Sequence, residues 1–173
     1  MTDWPEVVRQ HGPLVWRTAY RLLNHDADAA DCFQRTFLSA VELASTQSIR
    51  HWPALLIRLA TTRALEQLRV RYRETGRSIA LAEEPPTGQV GPVELAEAGE
   101  LADALRGALA VIDRDQAEVF CLVCIEGLSN TEAASQIGIT TNYAGVLLHR
   151  ARAALRERLQ SFNPTPLREG RHE

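Results

Sequence analysis

The sequence contains no Lys, only three cysteines (Cys32, Cys121 and Cys124), and few aromatic residues, 6% in all. An odd cysteine count argues against a disulfide framework and for reduced thiols in a cytoplasmic protein. No apolar run approaches the roughly 20 residues of a membrane span. The N-terminus has neither the basic nor the apolar region of an export signal, so a cytoplasmic location is expected. β-Branched residues rarely cluster, which leaves little material for strands. Equally missing are a Gly-rich phosphate loop, a nucleophile elbow, paired carboxylates and histidines at metal-ligand spacing. No catalytic residue, metal or cofactor is therefore expected, and the chain does not read as an enzyme.

What is present favours helices. Ala, Leu, Arg and Glu are abundant, 45% of residues are hydrophobic and 24% are charged. A length of 173 residues suits one ordinary domain or two of roughly 60–80 residues each. All nineteen basic residues are Arg, a bias that carries no functional reading by itself. The net charge of -3 conceals a pattern. Between residues 50 and 77 seven Arg face two Glu, a net of +5. Between residues 80 and 118 nine acids face two Arg, a net of −7, and residues 141–160 return to +3. Two basic segments flank an acidic one.

The apolar periodicity divides the chain into helices. Val7, Val8, Val15, Ala19, Leu22 and Leu23 recur at helical spacing from Trp4 to Leu23, and Gly12-Pro13 predicts an interruption. A second helix is expected over Asp26–Ala44, capped by Asp28, with a loop at Ser45–Ser48. Pro53 opens a third helix through about Arg73, and Gly76 is expected to follow its end. Glu83 to Pro92, rich in Pro and Gly, reads as a linker. Helicity resumes near Pro92, then Arg114–Ile125, Asn130–Ile137 and Thr141–Leu159 follow, with a frayed tail after Phe162. The expected fold is all-α: two small helical domains, residues 1–78 and 95–162, with a flexible linker at 79–94 and a tail at 163–173.

The most specific local signal lies at Gly127–Thr140. Ser129 with Glu132 three residues on forms a capping box, Ala133, Ala134 and Ile137 face a core, Gly138 permits a tight turn, and Thr140 caps the next helix. This is a helix-turn-helix pattern, whose second helix enters a DNA major groove. In that helix Ala144, Leu148, Ala151, Leu155 and Leu159 form the inward stripe. The other side offers Thr141, Asn142, Tyr143, Val146 and His149 toward base edges, and Arg150, Arg152 and Arg156 toward phosphates. The bland alternative is a helical hairpin with a solvated Arg face. The Arg-rich third helix, with Trp52 and Tyr72 at its ends, has the charge and ring faces that single-stranded DNA needs; a solvated helix end is the competing reading. Cys121-x-x-Cys124 sits among Phe120, Leu122, Val123 and Ile125 and reads as a pair of small buried hydrophobes rather than a metal or redox site.

Taken together these segments resemble the extracytoplasmic-function class of the bacterial sigma-70 family across nearly the whole chain. Gly12–Trp16, Tyr20–Leu23 and Asp28–Leu38 are similar to the opening helix and polymerase-binding signature of region two. Trp52, Arg58–Ala60 and Arg63–Leu65 match its long melting helix. Gln116, Glu118–Phe120, Glu126–Ser129, Gly138–Ile139 and Arg150–Leu155 resemble region four.

The resemblance implies a transcription initiation factor. Its partners would be core RNA polymerase (β′ clamp and β flap), promoter DNA and, as in many of this class, an anti-sigma factor. Asp31, Gln34 and Arg35 would bind polymerase. Ser48, Arg50, His51, Trp52, Arg58, Thr62 and Arg63 would handle the minus-ten element, with the loop Ser45–His51 capturing a flipped base. Thr141, Asn142, Tyr143, Val146, Arg150 and Arg152 would read the minus-thirty-five element.

Several positions depart from the family's pattern. Arg35 stands where Glu is usual, Thr62 for Asn, Glu66 for Asp, Leu55 for Trp and Ile112-Asp113 for Leu-Pro. Gly145 and Leu147 replace a Lys and an Arg of the recognition helix, which predicts weaker phosphate contacts there. Two alternatives remain at this point. One is a helix-turn-helix regulator such as a response regulator's output half, disfavoured because the N-terminal half is helical rather than βα. The other is a degenerate sigma-like protein that binds polymerase or DNA without initiating transcription. The acidic stretch Glu83–Glu118 reads either as a solvated linker or as a DNA mimic that occupies a nucleic-acid channel.

Overall fold

The computed structural model describes residues 2–77 and 92–160, and among these residues every regular element is a helix. The stretch 79–91 of the expected linker and the tail 163–173 lie outside the described residues.

Helix α1, Trp4–Leu23, starts where the Asp3 carboxylate accepts the Glu6 N–H at 3.2 Å and stops at Asn24, whose φ of 49° is left-handed. The interruption expected at Gly12-Pro13 does not occur. Pro13 and Arg9 both lie on the exposed side, so the carbonyl that loses its N–H partner faces outward. Gly12 turns inward, where a Cβ would stand 3.6 Å from the Phe33 ring.

Helix α2, Asp26–Thr46, is capped by the His25 ring, which accepts the Asp28 N–H at 3.3 Å, rather than by Asp28 itself. It also runs two residues past the predicted end, through Ser45 and Thr46. Helix α3 spans Trp52–Arg77, so Gly76 lies within it instead of following it. These three helices pack on one another around Val7, Val15, Phe37, Ala40, Leu56 and Ala60, with Trp4, Phe33 and Trp52 at the edge.

Helix α4, Pro92–Val111, leads into α5, Arg114–Phe120, whose N-cap Asp113 accepts two backbone N–H groups at 3.0 and 3.1 Å. The chain then forms one π-helical turn, Cys121–Ile125, in which Glu126 N–H reaches back five residues to the Cys121 carbonyl. Helices α6, Asn130–Ile137, and α7, Thr141–Arg158, are the last two helices among the described residues. Leu147, Leu148 and Val119 form the local core between α5 and α7.

A further core is shared by the two halves. Leu22, Leu23, Leu65 and Leu68 from the first three helices meet Leu109, Ile112, Cys121 and Leu155 from the later ones. Each such leucine contributes about 1.5–3 kcal/mol on full burial. The halves are thus held together by apolar packing of the same kind that forms each of them.

Candidate polymerase and promoter surfaces

Three surfaces carry the residues singled out in the sequence. The first is the outer face of α2. Asp31, Gln34, Arg35 and Leu38 follow helical spacing and line one stripe. Arg35 Nε bonds Asp31 Oδ2 at 2.9 Å, one turn back, and Gln67 of α3 donates to the same oxygen at 3.1 Å. Asp31 is therefore fixed in place rather than free to swing. Leu38, 63% exposed, and Val41 leave an apolar strip beside these charges. Sequence reading missed Leu38 as a surface residue, although its place one turn beyond Gln34 put it on that face.

The second surface runs from the α2–α3 turn along α3. Ser48, Arg50 and His51 are exposed, and His51 accepts the Ala54 N–H at 3.2 Å to start α3. Trp52 stacks edge-on against Trp4, 5.4 Å between centroids. Together with Val41, Ala44, the last two residues of α2 and residues 47–49 the two indoles line an open, partly apolar hollow. Farther along α3 the polar groups are already engaged. Arg58 Nε lies 3.5 Å and Thr62 Oγ1 3.0 Å from the same Glu118 oxygen of α5. Arg63 is held by Glu66 and by Ser39, both at 2.8 Å, and Glu66 also takes Arg114 of α5 at 2.8 Å.

The third surface is the helix-turn-helix. Ser129 and Glu132 form both halves of the capping box, Gly138 takes φ 80° at the turn, and Thr140 accepts the Tyr143 N–H at 3.2 Å. The Ser129 hydroxyl, then its backbone N–H, hold the Glu132 carboxyl below its ordinary pKa. Thr141, Asn142, Tyr143, Val146, Arg150 and Arg152 all lie on the exposed side of α7. Ala144, Leu148, Ala151 and Leu155 are buried as the stripe predicts, whereas Leu159, its fifth expected member, is the C-cap just past the helix and only half-buried. Leu147 is buried as well, so its apolar character supports the core and no cation is missing from the surface there. Gly145 differs, because a Cβ at that position meets nothing within 4 Å.

Of the cysteine pair only Cys121 matches the buried reading. Burial pushes its thiol pKa up, and burial likewise raises Cys32 to about 11. Cys124 is exposed, with Arg152 Nη2 at 3.6 Å from its sulfur, because the π turn rotates it out of the helix's apolar face. Among the described residues no group of His, Cys, Asp and Glu could hold a metal, and no helix is long and apolar enough to cross a membrane.

Two family descriptions match these same segments: Sigma-70 region 2 over residues 7–74 and Sigma-70, region 4 over residues 102–155. The chain belongs to the sigma-70 family. Within it the relationship is to the extracytoplasmic-function type. The ECF RNA polymerase sigma factor SigE of Mycolicibacterium smegmatis is 31% identical over 162 residues, which is 92% of this chain and 62% of that protein. The sigma factor RpoE of Bartonella quintana, solved with the anti-sigma factor NepR, shares the fold. It has a TM-score of 0.54 and 24% identity, over 92% of this chain and 98% of RpoE. CnrH, solved with the cytosolic domain of CnrY, gives a TM-score of 0.54 and 23% identity over 91% of this chain and 88% of CnrH. In this chain the region-two match ends on α3 and the region-four match contains the helix-turn-helix.

The residues missed in sequence reading are those between the halves. Glu118 and Glu126 are buried carboxylates of the region-four half, yet both are aimed at the region-two half. Glu126, with a side chain 2% exposed, accepts the Thr18 hydroxyl at 3.0 Å and lies 3.6 Å from Arg21 Nη1. Arg21 also donates to the Ile125 carbonyl at 2.7 Å, and Arg106 of α4 donates to the Leu22 carbonyl at the end of α1. A signal existed for Glu118: it sits between Ala117 and Val119 in an apolar run, where an acid must find a partner.

Proposed function

We propose that this chain is a dissociable, cytoplasmic subunit that binds core RNA polymerase, brings it to particular promoters and assists their melting, with no catalysis of its own. Residues 1–78 would engage polymerase and the minus-ten element, and residues 95–162 the minus-thirty-five element, joined through 79–94. The α2 stripe of Asp31, Gln34, Arg35 and Leu38 would meet the β′ clamp. An apolar residue ringed by charge is the usual make-up of an interface centre. The hollow between Trp4 and Trp52 would receive a flipped base, and the β flap would pack on the region-four half. An anti-sigma factor is a further partner of the kind with which RpoE was solved.

The observation that carries this reading is the fully capped helix-turn-helix with its outer face exposed, in one chain with the exposed α2 stripe. A sequence reader of DNA and a protein-docking face are the two parts an initiation factor needs. Titrating labelled chain with core polymerase tests it. Saturable binding is expected, weakened by at least about tenfold, or 1.4 kcal/mol, in Leu38→Asp. Absence of any core binding would undo the proposal. A second reading, binding polymerase or DNA without initiating transcription, draws on Gly145, which gives the recognition helix no cation where one would fit.

A further inference from the structure

Behind the α2 stripe stands a polar residue of α3 that belongs to neither DNA surface. Gln67 is half-buried, and its Nε2 crosses to α2 to donate to Asp31 Oδ2 at 3.1 Å. Arg35 Nε lies 2.9 Å from the same oxygen, one turn along α2. A neutral donor and a cation from different helices thus converge on Oδ2. Asp31 Oδ1 has no partner among the described residues, on a side chain 42% exposed. One oxygen is held and the other is offered.

The far end of the Gln67 amide shows what sets its orientation. Its carbonyl, Oε1, is buried without a partner among the described residues. A buried carbonyl left unpaired is destabilising. In a stretch of α3 whose Ala64, Leu65 and Leu68 are buried, packing alone favours an apolar side chain. What the amide gains there is the bond to Asp31, and Asp31, being exposed, would find water without it. The bond therefore adds little to stability. Its effect is on where the carboxylate points.

We propose that Gln67 is a positioning residue for polymerase binding: it acts through Asp31, holding the carboxylate so that Oδ1 meets the β′ clamp in a fixed orientation. This deepens the reading of the α2 stripe as the polymerase-docking face and rests on it. A side chain already held in its bound orientation has less freedom to lose on docking, which favours the complex without adding a contact. Arg35 shares in the arrangement, because its Nη groups have no partner among the described residues. The pair offers a carboxylate oxygen and guanidinium N–H groups one turn apart. A complementary partner surface carries a donor for the first and an acceptor for the second.

The test is a double-mutant cycle on the full chain, read by titrating labelled chain with core polymerase and by thermal melting. Gln67→Leu removes the donor and keeps an apolar bulk of similar size. It is expected to weaken core binding about fivefold. Its melting midpoint is expected to hold or rise, because the unpaired buried carbonyl goes with the amide. In an Asp31→Ala chain the same substitution is expected to change core affinity by less than about twofold, since no carboxylate is left to orient. Gln67→Glu sets a like charge against Asp31 and is expected to weaken binding more than Gln67→Leu does. Should Gln67→Leu fail to fold, Gln67→Met, unbranched and of the same length, carries the same prediction.

If Asp31→Ala weakens core binding and Gln67→Leu does not, the positioning role is overturned and the α2 stripe keeps its reading. If Gln67→Leu weakens binding equally with and without the Asp31 carboxylate, Gln67 acts through the fold or on polymerase directly, and the proposal is overturned. If Asp31→Ala itself leaves core binding unchanged, the reading of the stripe fails at Asp31, and the proposal with it.

Discussion

The two helices assigned to DNA are presented in opposite ways. On α7 the residues proposed to face the groove, Thr141, Asn142, Tyr143 and Val146, are exposed and make no side-chain hydrogen bond or ion pair among the described residues. On α3, Arg58, Thr62 and Arg63 are half-buried and each is already matched to a partner, two of them through Glu118. The difference follows from where each helix packs. Helix α7 has a single inward stripe that its own half covers, leaving the opposite side free. Helix α3 is the central element: α1 and α2 cover one side and α4 and α5 the other. A reading helix can stay exposed at no cost, whereas a central basic helix acquires acids from whatever packs on it.

That contrast can be broken at several points. The largest effect is expected from Leu109→Ala in the shared core, a loss of about 2–5 kcal/mol, with one cooperative melting transition shifting for the whole chain. Val146→Ala on the exposed face should stay within about 0.5 kcal/mol and alter DNA binding instead. Two separate transitions, only one of them moved by Leu109→Ala, would show that the halves do not share their stability. Next comes Glu126→Ala, which leaves the buried Thr18 hydroxyl unpaired and removes the charge near Arg21. A loss of about 1–3 kcal/mol in urea denaturation is expected.

Smaller effects separate the recognition unit from the rest. Ser129→Ala removes the cap of α6 and should cost about 1 kcal/mol. The same box gives a pH dependence of known sign. Because Glu132 is held below its ordinary 4.5 in the folded chain, its contribution is complete above that value and fades as pH falls through the depressed one. Thermal melts of wild type and Glu132→Gln should therefore differ near neutrality and converge in acid. A change of the opposite sign is expected from Gly145→Arg, a gain of up to about 1 kcal/mol because a helix-interior Gly is replaced where space is open. It should also steepen the salt dependence of duplex binding by about one unit, through one added phosphate contact. No steepening would mean that this side of α7 does not face the backbone.

Much of this was legible in the sequence where the signal is local. The capping box, the turn Gly138, the Thr140 cap and the inward stripe of α7 are written in consecutive residues, and the structure forms all four. Local reading failed where packing overrides propensity. Pro13 is tolerated because its side of α1 faces out, and His25 displaces Asp28 as the cap because its ring reaches the same N–H. Leu147 looked like a lost cation because a helix position alone does not say which core it faces; Val119 of α5 and Leu147 of α7 lie in the same small core. Cys124 is turned outward by a π-helical turn that an apolar run does not announce. The contacts of Glu118 and Glu126 span 56 to 108 residues of chain, beyond the reach of any periodicity.

The most direct test of the account is transcription in vitro from genomic promoter fragments with core polymerase, with and without the purified chain, and with Arg35→Glu beside it. The account predicts transcripts from defined start sites that require the chain, with their yield changed by Arg35→Glu through core binding rather than through promoter choice. Core polymerase that binds the chain and still starts nowhere in particular, with either version, would contradict it.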